Sequence, residues 1–165
     1  MTARTAWQGK WLSVKTDGKW EYVSRVGGVS AVVILAGHDG RIILVEQHRV
    51  PLGRPCLELP AGLVGDEDPD ATVETTAIKE LEEETGFTGE RVERLGDYYS
   101  SPGMVSEGFT LVRVHGVRPT GTAPEEGMTV RLVEREGIAA FVAAARARDV
   151  AIDVKLLALL GVAGG

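Results

Sequence analysis

Two unbroken apolar runs, Ala31–Leu35 and Ile42–Val45, lie on either side of His38-Asp39-Gly40. An apolar run of this length, bounded by turn residues, is a strand covered on both faces rather than one with a solvated side. Asp-Gly between two such runs is a tight-hairpin signal. Val29–Ala36 and Arg41–Gln47 are therefore expected to pair, and whatever surrounds them must supply a second layer on each side.

The rest of the chain offers those layers. Trp11–Val14 and Trp20–Val26 flank Thr16-Asp17-Gly18-Lys19, a second hairpin with Asp-Gly at its tip. Leu57–Pro60 reads as a short extended piece ending in Ala61-Gly62. Further strands are expected at Val92–Tyr98, Phe109–His115 and Met128–Val133, with helices at Gly137–Arg148 and Asp153–Leu160. A longer helix precedes Gly86, a good C-terminal stop. Its start is either Asp68, with Pro69 at the first helical position, or Thr72 one turn later. Val73, Ala77 and Leu81 recur every four residues and give it one core-facing stripe. Strands interleaved with helices mean an α and β domain with helices packed on a sheet.

Composition narrows the function classes. A chain of 165 residues fits one domain with a real core, expected to span 1–165. No apolar run reaches the roughly 18 residues of a membrane span, and Met1–Lys10 lacks the apolar stretch of a signal peptide. The single Cys56 excludes a disulfide framework or a Cys-rich zinc site, and His38, His48 and His115 lack metal spacing. A cytoplasmic address and no membrane partner are the expectation. A net charge of −6 argues against a nucleic-acid binder with a broad basic face.

The most informative segment is Lys79-Glu80-Leu81-Glu82-Glu83-Glu84-Thr85-Gly86. Glu80, Glu83 and Glu84 stand at i, i+3 and i+4 and share one helix face, while Leu81 points to the core. Like charges at this spacing repel by about 0.2–0.5 kcal/mol per pair. In the last turn the helix dipole disfavours each carboxylate by a further ~0.3–1 kcal/mol. Lys79 has Glu83 four residues on, in the weaker of the two orientations. A glutamate run is commonly just a solvated face. A cluster this unfavourable, however, is what a hard divalent cation would reward, and Mg²⁺ or Mn²⁺ suits oxygen ligands shared with substrate phosphates.

Gly62 followed by Lys79-Glu80-Leu81-Glu82-Glu83-Glu84-Thr85-Gly86-Phe87 resembles the Nudix box, G-x5-E-x7-R-E-U-x-E-E-x-G-U, where U is aliphatic. Two positions depart from it. Lys79 stands where the pattern has arginine, and the stretch from Gly62 to Lys79 is three residues longer. Glu67, Asp68 and Glu74 compete for the first glutamate, which with the arginine braces the metal-binding helix. Four flanking segments are similar to the ADP-ribose pyrophosphatase branch. They are Ile43-Leu44-Val45-Glu46-Gln47-His48-Arg49, Cys56-Leu57-Glu58-Leu59-Pro60-Ala61-Gly62, Ser101-Pro102-Gly103, and the early Gly9-Lys10-Trp11 with Trp20-Glu21-Tyr22-Val23-Ser24-Arg25.

That resemblance implies an α+β Nudix fold, a mixed β-sheet sandwiched between helices, with residues 1–27 forming an N-terminal hairpin arm. It implies that Glu80, Glu83, Glu84 and the backbone carbonyl of Ala61 hold two or three Mg²⁺ ions, Mn²⁺ being an alternative. The substrate would be ADP-ribose or another nucleoside diphosphate sugar. A general base would come from a loop beyond the box: Glu126 or Glu125 before the strand at Met128, or Glu107 after Ser101-Pro102-Gly103. Trp11 and Trp20 offer flat faces to an adenine, Glu21 an acceptor for its amino group, and Arg25 and Arg49 charged forks for phosphate. The plainer alternative is that both tryptophans only pack the hairpin. The arm is too small to fold alone, which leads to the expectation of a homodimer in which it crosses to the partner. Two other readings stay open: the same chemistry on GDP-mannose, and a silent nucleotide-binding regulator of the same fold.

Overall fold

The computed structural model describes residues 3–66 and 68–156 of the chain. An N-terminal sheet holds β1 (Arg4–Gln8), β2 (Leu12–Asp17) and β3 (Trp20–Arg25). Then come β4 (Ser30–His38), β5 (Arg41–Arg49), β6 (Arg54–Glu58), β7 (Ala61–Val64), α1 (Val73–Thr85), β8 (Phe87–Thr88), β9 (Arg91–Tyr99) and β10 (Gly108–His115). After these come β11 (Arg118–Pro119), β12 (Thr129–Glu134), α2 (Ile138–Ala147) and β13 (Ala151–Ile152). The main sheet runs β13-β6-β5-β4-β10-β9, with β12 paired to β5 and β7 to β4. It is mixed: β4 and β10 are parallel, as are β6 and β13, and the other pairs are antiparallel.

The two apolar runs behave as expected. Alternate residues of β4 and β5 point to opposite faces, and each face has its own core. Val33 and Leu44 pack with Ile138, Val142 and Ala145 of α2 and with Leu156. Val32, Ile34 and Ile43 pack with Ala77 and Leu81 of α1. Val73, Ala77 and Leu81 do form the inward stripe of α1. The sheet is thus covered by α1 on one side and α2 on the other, and β4, central to it, carries β7 toward α1.

His38 and Arg41 pair across Asp39 (φ 51°) and Gly40 (φ 76°), the double left-handed turn that Asp-Gly accommodates. In the arm, Asp17 pairs with Trp20, so Gly18 and Lys19 are the tip. Helix α1 starts at Thr72 and not at Asp68, because Thr72 and Thr75 bond each other's backbone N–H reciprocally, which caps two orphan donors. Asp68 instead accepts from the N–H of Asp70 inside the loop. Strands β1 and β7 were not foreseen, and β6 begins three residues earlier than the expected Leu57. The expected helix Asp153–Leu160 extends beyond the described residues, as does Glu67. Among the described residues no helix is long and apolar enough to cross a membrane.

Candidate active site

Strand β7 and helix α1 meet where the box begins and ends. Ala61 and Gly62 lie beside Val33 and Val32 of β4, and the ladder continues through the Ile34 N–H donating to the Pro60 carbonyl at 2.8 Å. Glu80 lies directly over Gly62: a Cβ added there would sit 2.1 Å from the Glu80 carboxyl carbon. Only glycine lets that carboxylate approach the strand. One turn on, Glu84 is 5% exposed and accepts from the Ala61 N–H at 3.0 Å. Burial pushes its carboxyl from the ordinary 4.5 up to about 8, opposed by the Ala61 hydrogen bond and Arg49, reinforced by Glu80 and Glu58. Glu83 faces outward and is paired with Lys79 at 2.6 Å.

Gly86 ends the helix with φ 73°, and a Cβ there would meet the Thr122 carbonyl at 2.5 Å. The approach is close because the loop after β11 is tied to the helix end. Gly86 accepts from the Thr120 N–H, Glu83 from the Glu125 N–H at 2.8 Å, and the Glu82 carboxylate from the Thr122 hydroxyl. These donors satisfy the last carbonyls of α1. They also bring Glu125 and Glu126, both exposed, to the end of the helix that carries Glu83 and Glu84.

Opposite the box strand lies a cavity of about 260 Å³ whose lining includes Ala61, Gly62, Arg25, Arg49, Glu58 and Glu107. Arg49 grips Glu58 with two bonds of 2.7 and 2.5 Å, and Arg25 is bonded to Glu107. Glu58 is 5% exposed; burying it is tolerable because both oxygens are held. The guanidinium of Arg49 is held above its ordinary value by Glu58 first, with Glu84 also contributing. The sequence alone assigns Glu58 no role. The signal was a lone carboxylate between the buried Leu57 and Leu59. The brace also differs from the box pattern: Glu74 pairs with Arg94 of β9, at 2.7 and 3.1 Å.

The arm residues are less concentrated. Trp11 and Trp20 are 56% and 58% exposed and stand at opposite ends of the β2–β3 hairpin, about 17–20 Å apart by strand rise. One chain cannot sandwich a base between them. Glu21 is exposed beside Trp20. Trp20 also lines a mainly apolar cavity of about 420 Å³ with Tyr22, Pro102 and Val105. The arm is fastened to its own chain, the Val23 N–H donating to Met104 and the Ser106 N–H to Val23.

Side by side stand an acidic helix face, a glycine that admits it to the strand, and two arginines across one cavity. The NUDIX domain model matches residues 26–158. The chain belongs to the Nudix family. A putative nudix hydrolase 2 of Caenorhabditis elegans is 31% identical over 92% of this chain and 79% of its own length. The ADP-ribose pyrophosphatase of Bacillus subtilis (strain 168) is 41% identical over 54% of this chain and 45% of its own. The crystal structure of an ADP compounds hydrolase superposes with a TM-score of 0.65 at 20% identity, covering 85% of this chain and 81% of that one. That last likeness establishes the Nudix fold and the α+β class. The match spans less than half of the Bacillus protein.

The donor set also fits the cation that the family implies. The oxygens are hard, and Glu84 is destabilised as an anion by burial and by Glu80, which a bound cation would reverse. Among the described residues no three acidic or imidazole side chains yet converge as ligands, since Glu84 is turned to Ala61 and Glu83 to Lys79.

Proposed function

We propose that this Nudix hydrolase is a divalent-metal-dependent diphosphatase acting on ADP-ribose or a related nucleoside diphosphate sugar. The observation that carries the reading is the pairing of opposites around Ala61–Gly62. Glu80 and Glu84 press on the strand from the helix side, and Arg25 and Arg49 reach the same strand from the cavity. A diphosphate between them has metal ligands on one flank and charged forks on the other.

In this reading Glu80, Glu83, Glu84 and the Ala61 carbonyl hold the ions. Divalent ions bound there supply charge neutralisation and an acidified water. The chain's own part is to orient and to move one proton. Arg25 and Arg49 stay held by Glu107 and Glu58 and grip phosphate oxygens with their remaining N–H donors, fixing the diphosphate in line. The water oxygen bonds to phosphorus, the bridging P–O bond breaks, and the leaving phosphate keeps the electron pair. The water proton passes to a loop glutamate. Glu126 is the first candidate and Glu125 the second, both held at the end of α1 by the Glu125–Glu83 bond. Glu107 ranks behind them because Arg25 engages its carboxylate. From ADP-ribose the products are AMP and ribose 5-phosphate.

The arm and the loop bonded to it expose Trp7, Trp11, Leu12, Trp20 and Met104, with Trp7 and Leu12 on one face of the arm sheet and Trp20 on the other. We propose that a second copy of the chain covers part of this arm surface, so that in a homodimer the tryptophans of one arm complete the partner's nucleotide pocket.

The test is a panel of ADP-ribose, GDP-mannose and other nucleotide sugars with Mg²⁺, read by phosphatase-coupled phosphate release from the products. Turnover of ADP-ribose well above GDP-mannose is expected. Comparable turnover would remove the substrate preference. No metal-dependent turnover on any member would favour a silent regulator, for which the Lys79–Glu83 pair would be the structural reason.

A further inference from the structure

We infer that Lys155 is a third cationic contact for the substrate's anionic groups, contributed by the C-terminal segment; this rests on the reading of the site given above. The segment returns to the cavity by a defined route. Ala151 and Ile152 pair with Cys56 and Leu57 of β6, and the Asp153 N–H donates to the Leu57 carbonyl at 3.1 Å. The next residue along β6 is Glu58, the partner of Arg49. Asp153 then turns the chain, its Oδ1 accepting from the Lys155 N–H at 2.8 Å. Leu156, fully buried in the core beneath α2, anchors the far side. The turn leaves Lys155 in the wall of the 260 Å³ cavity, with Arg25, Arg49, Ser100 and Phe109.

The three cations of this wall share one arrangement. Arg25 is held by Glu107, Arg49 by Glu58, and the Lys155 Nζ by Asp153 Oδ2. Each is neutralised and oriented by its carboxylate; the two guanidinium groups keep further N–H donors for phosphate oxygens, and Lys155 can exchange Asp153 for one. Lys155 remains 28% exposed and Asp153 15%, so the exchange moves only a flexible stem. Hydrolysis also raises the demand for positive charge, because one diphosphate gives two phosphomonoesters, each carrying about −1.5 to −2 at neutral pH.

The experiment compares Lys155→Met, Lys155→Arg and Asp153→Asn with the wild type, measuring kcat, KM for ADP-ribose at saturating Mg²⁺, and the thermal midpoint. Lys155→Met is expected to raise KM about tenfold or more, the range for a lost charge-assisted hydrogen bond, with the midpoint unchanged. Lys155→Arg should restore most of it. Asp153→Asn keeps the turn's acceptor but drops the competing charge, so KM should fall. Unchanged KM in Lys155→Met, or a rise in both Lys155→Met and Asp153→Asn with lowered midpoints, overturns the inference. Wild-type turnover abolished by Glu84→Gln shows that the underlying reading stands even then. Absence of wild-type turnover would defeat that reading instead, and the inference with it.

Discussion

Replacing Glu84 by glutamine separates the demands of folding from those of chemistry. In the metal-free protein the Glu84 carboxyl titrates at about 8, against 4.5 ordinarily. Between those values the folded chain holds a proton that the unfolded chain has released. Stability therefore falls as pH rises from about 4.5 to 8 and stays low above that. Each tenfold displacement of ionisation corresponds to ~1.4 kcal/mol, so the loss by pH 9 is about 4–5 kcal/mol as an upper figure. Glutamine keeps the acceptor for the Ala61 N–H and never ionises. With chelator present, the variant should match the wild type at pH 5 and exceed it at pH 9 by about 2–4 kcal/mol, or roughly 5–10 °C in midpoint. Turnover should fall by orders of magnitude, and Mg²⁺ with ligand should no longer raise the midpoint. Thermal scans at the two pH values give the answer. A Glu84→Gln protein no more stable than wild type at pH 9, or one still stabilised by Mg²⁺ and ligand, would refute the reasoning.

Other expectations follow from single contacts. Arg49→Ala strands the buried Glu58 carboxylate and should lower stability by about 3 kcal/mol or more, measured by urea unfolding; Glu58→Gln should be milder. Gly62→Ala drives Glu80 off the strand, its carboxyl carbon being 2.1 Å from the new Cβ. Metal-dependent turnover should drop at least tenfold with a nearly unchanged midpoint, because only a flexible side chain has to move. Glu126→Gln should lower kcat by about 10²–10⁴ with KM preserved, the range for a lost general base; if Glu125→Gln does so instead, the order of the two is reversed. Arg94→Ala breaks an exposed pair and should change stability by less than ~1 kcal/mol.

How far the sequence carried these conclusions depended on the range of the physics. The doubly covered β4 and β5, the inward stripe of α1 and the Gly86 stop rest on local periodicity and turn chemistry, and each stands in the fold. The choice of Thr72 over Asp68 rested on a reciprocal bond with Thr75 that either reading could have satisfied on paper. Strands β1 and β7 were missed for different reasons. The first is wholly exposed, so no burial pattern marked it. The second is four residues long and fills the half of β4 that β5, pairing only with Gly37 and His38, leaves open. At the site, the helix face of Glu80, Glu83 and Glu84 was readable from spacing. The Arg49–Glu58 and Arg25–Glu107 pairs, nine and 82 residues apart, were not, since long-range partners leave no periodic trace. Lys155 was invisible for the same reason: its place in the wall depends on β13 adding to β6.

The most direct measurement is an anomalous difference map from crystals soaked with Mn²⁺ and a methylene-bridged ADP-ribose analogue. Manganese peaks bound by Glu80, Glu84 and the Ala61 carbonyl, with the analogue's phosphates between them and Arg49, are the predicted result. A map with no manganese at these residues, and Glu84 still turned onto the Ala61 N–H, would contradict it.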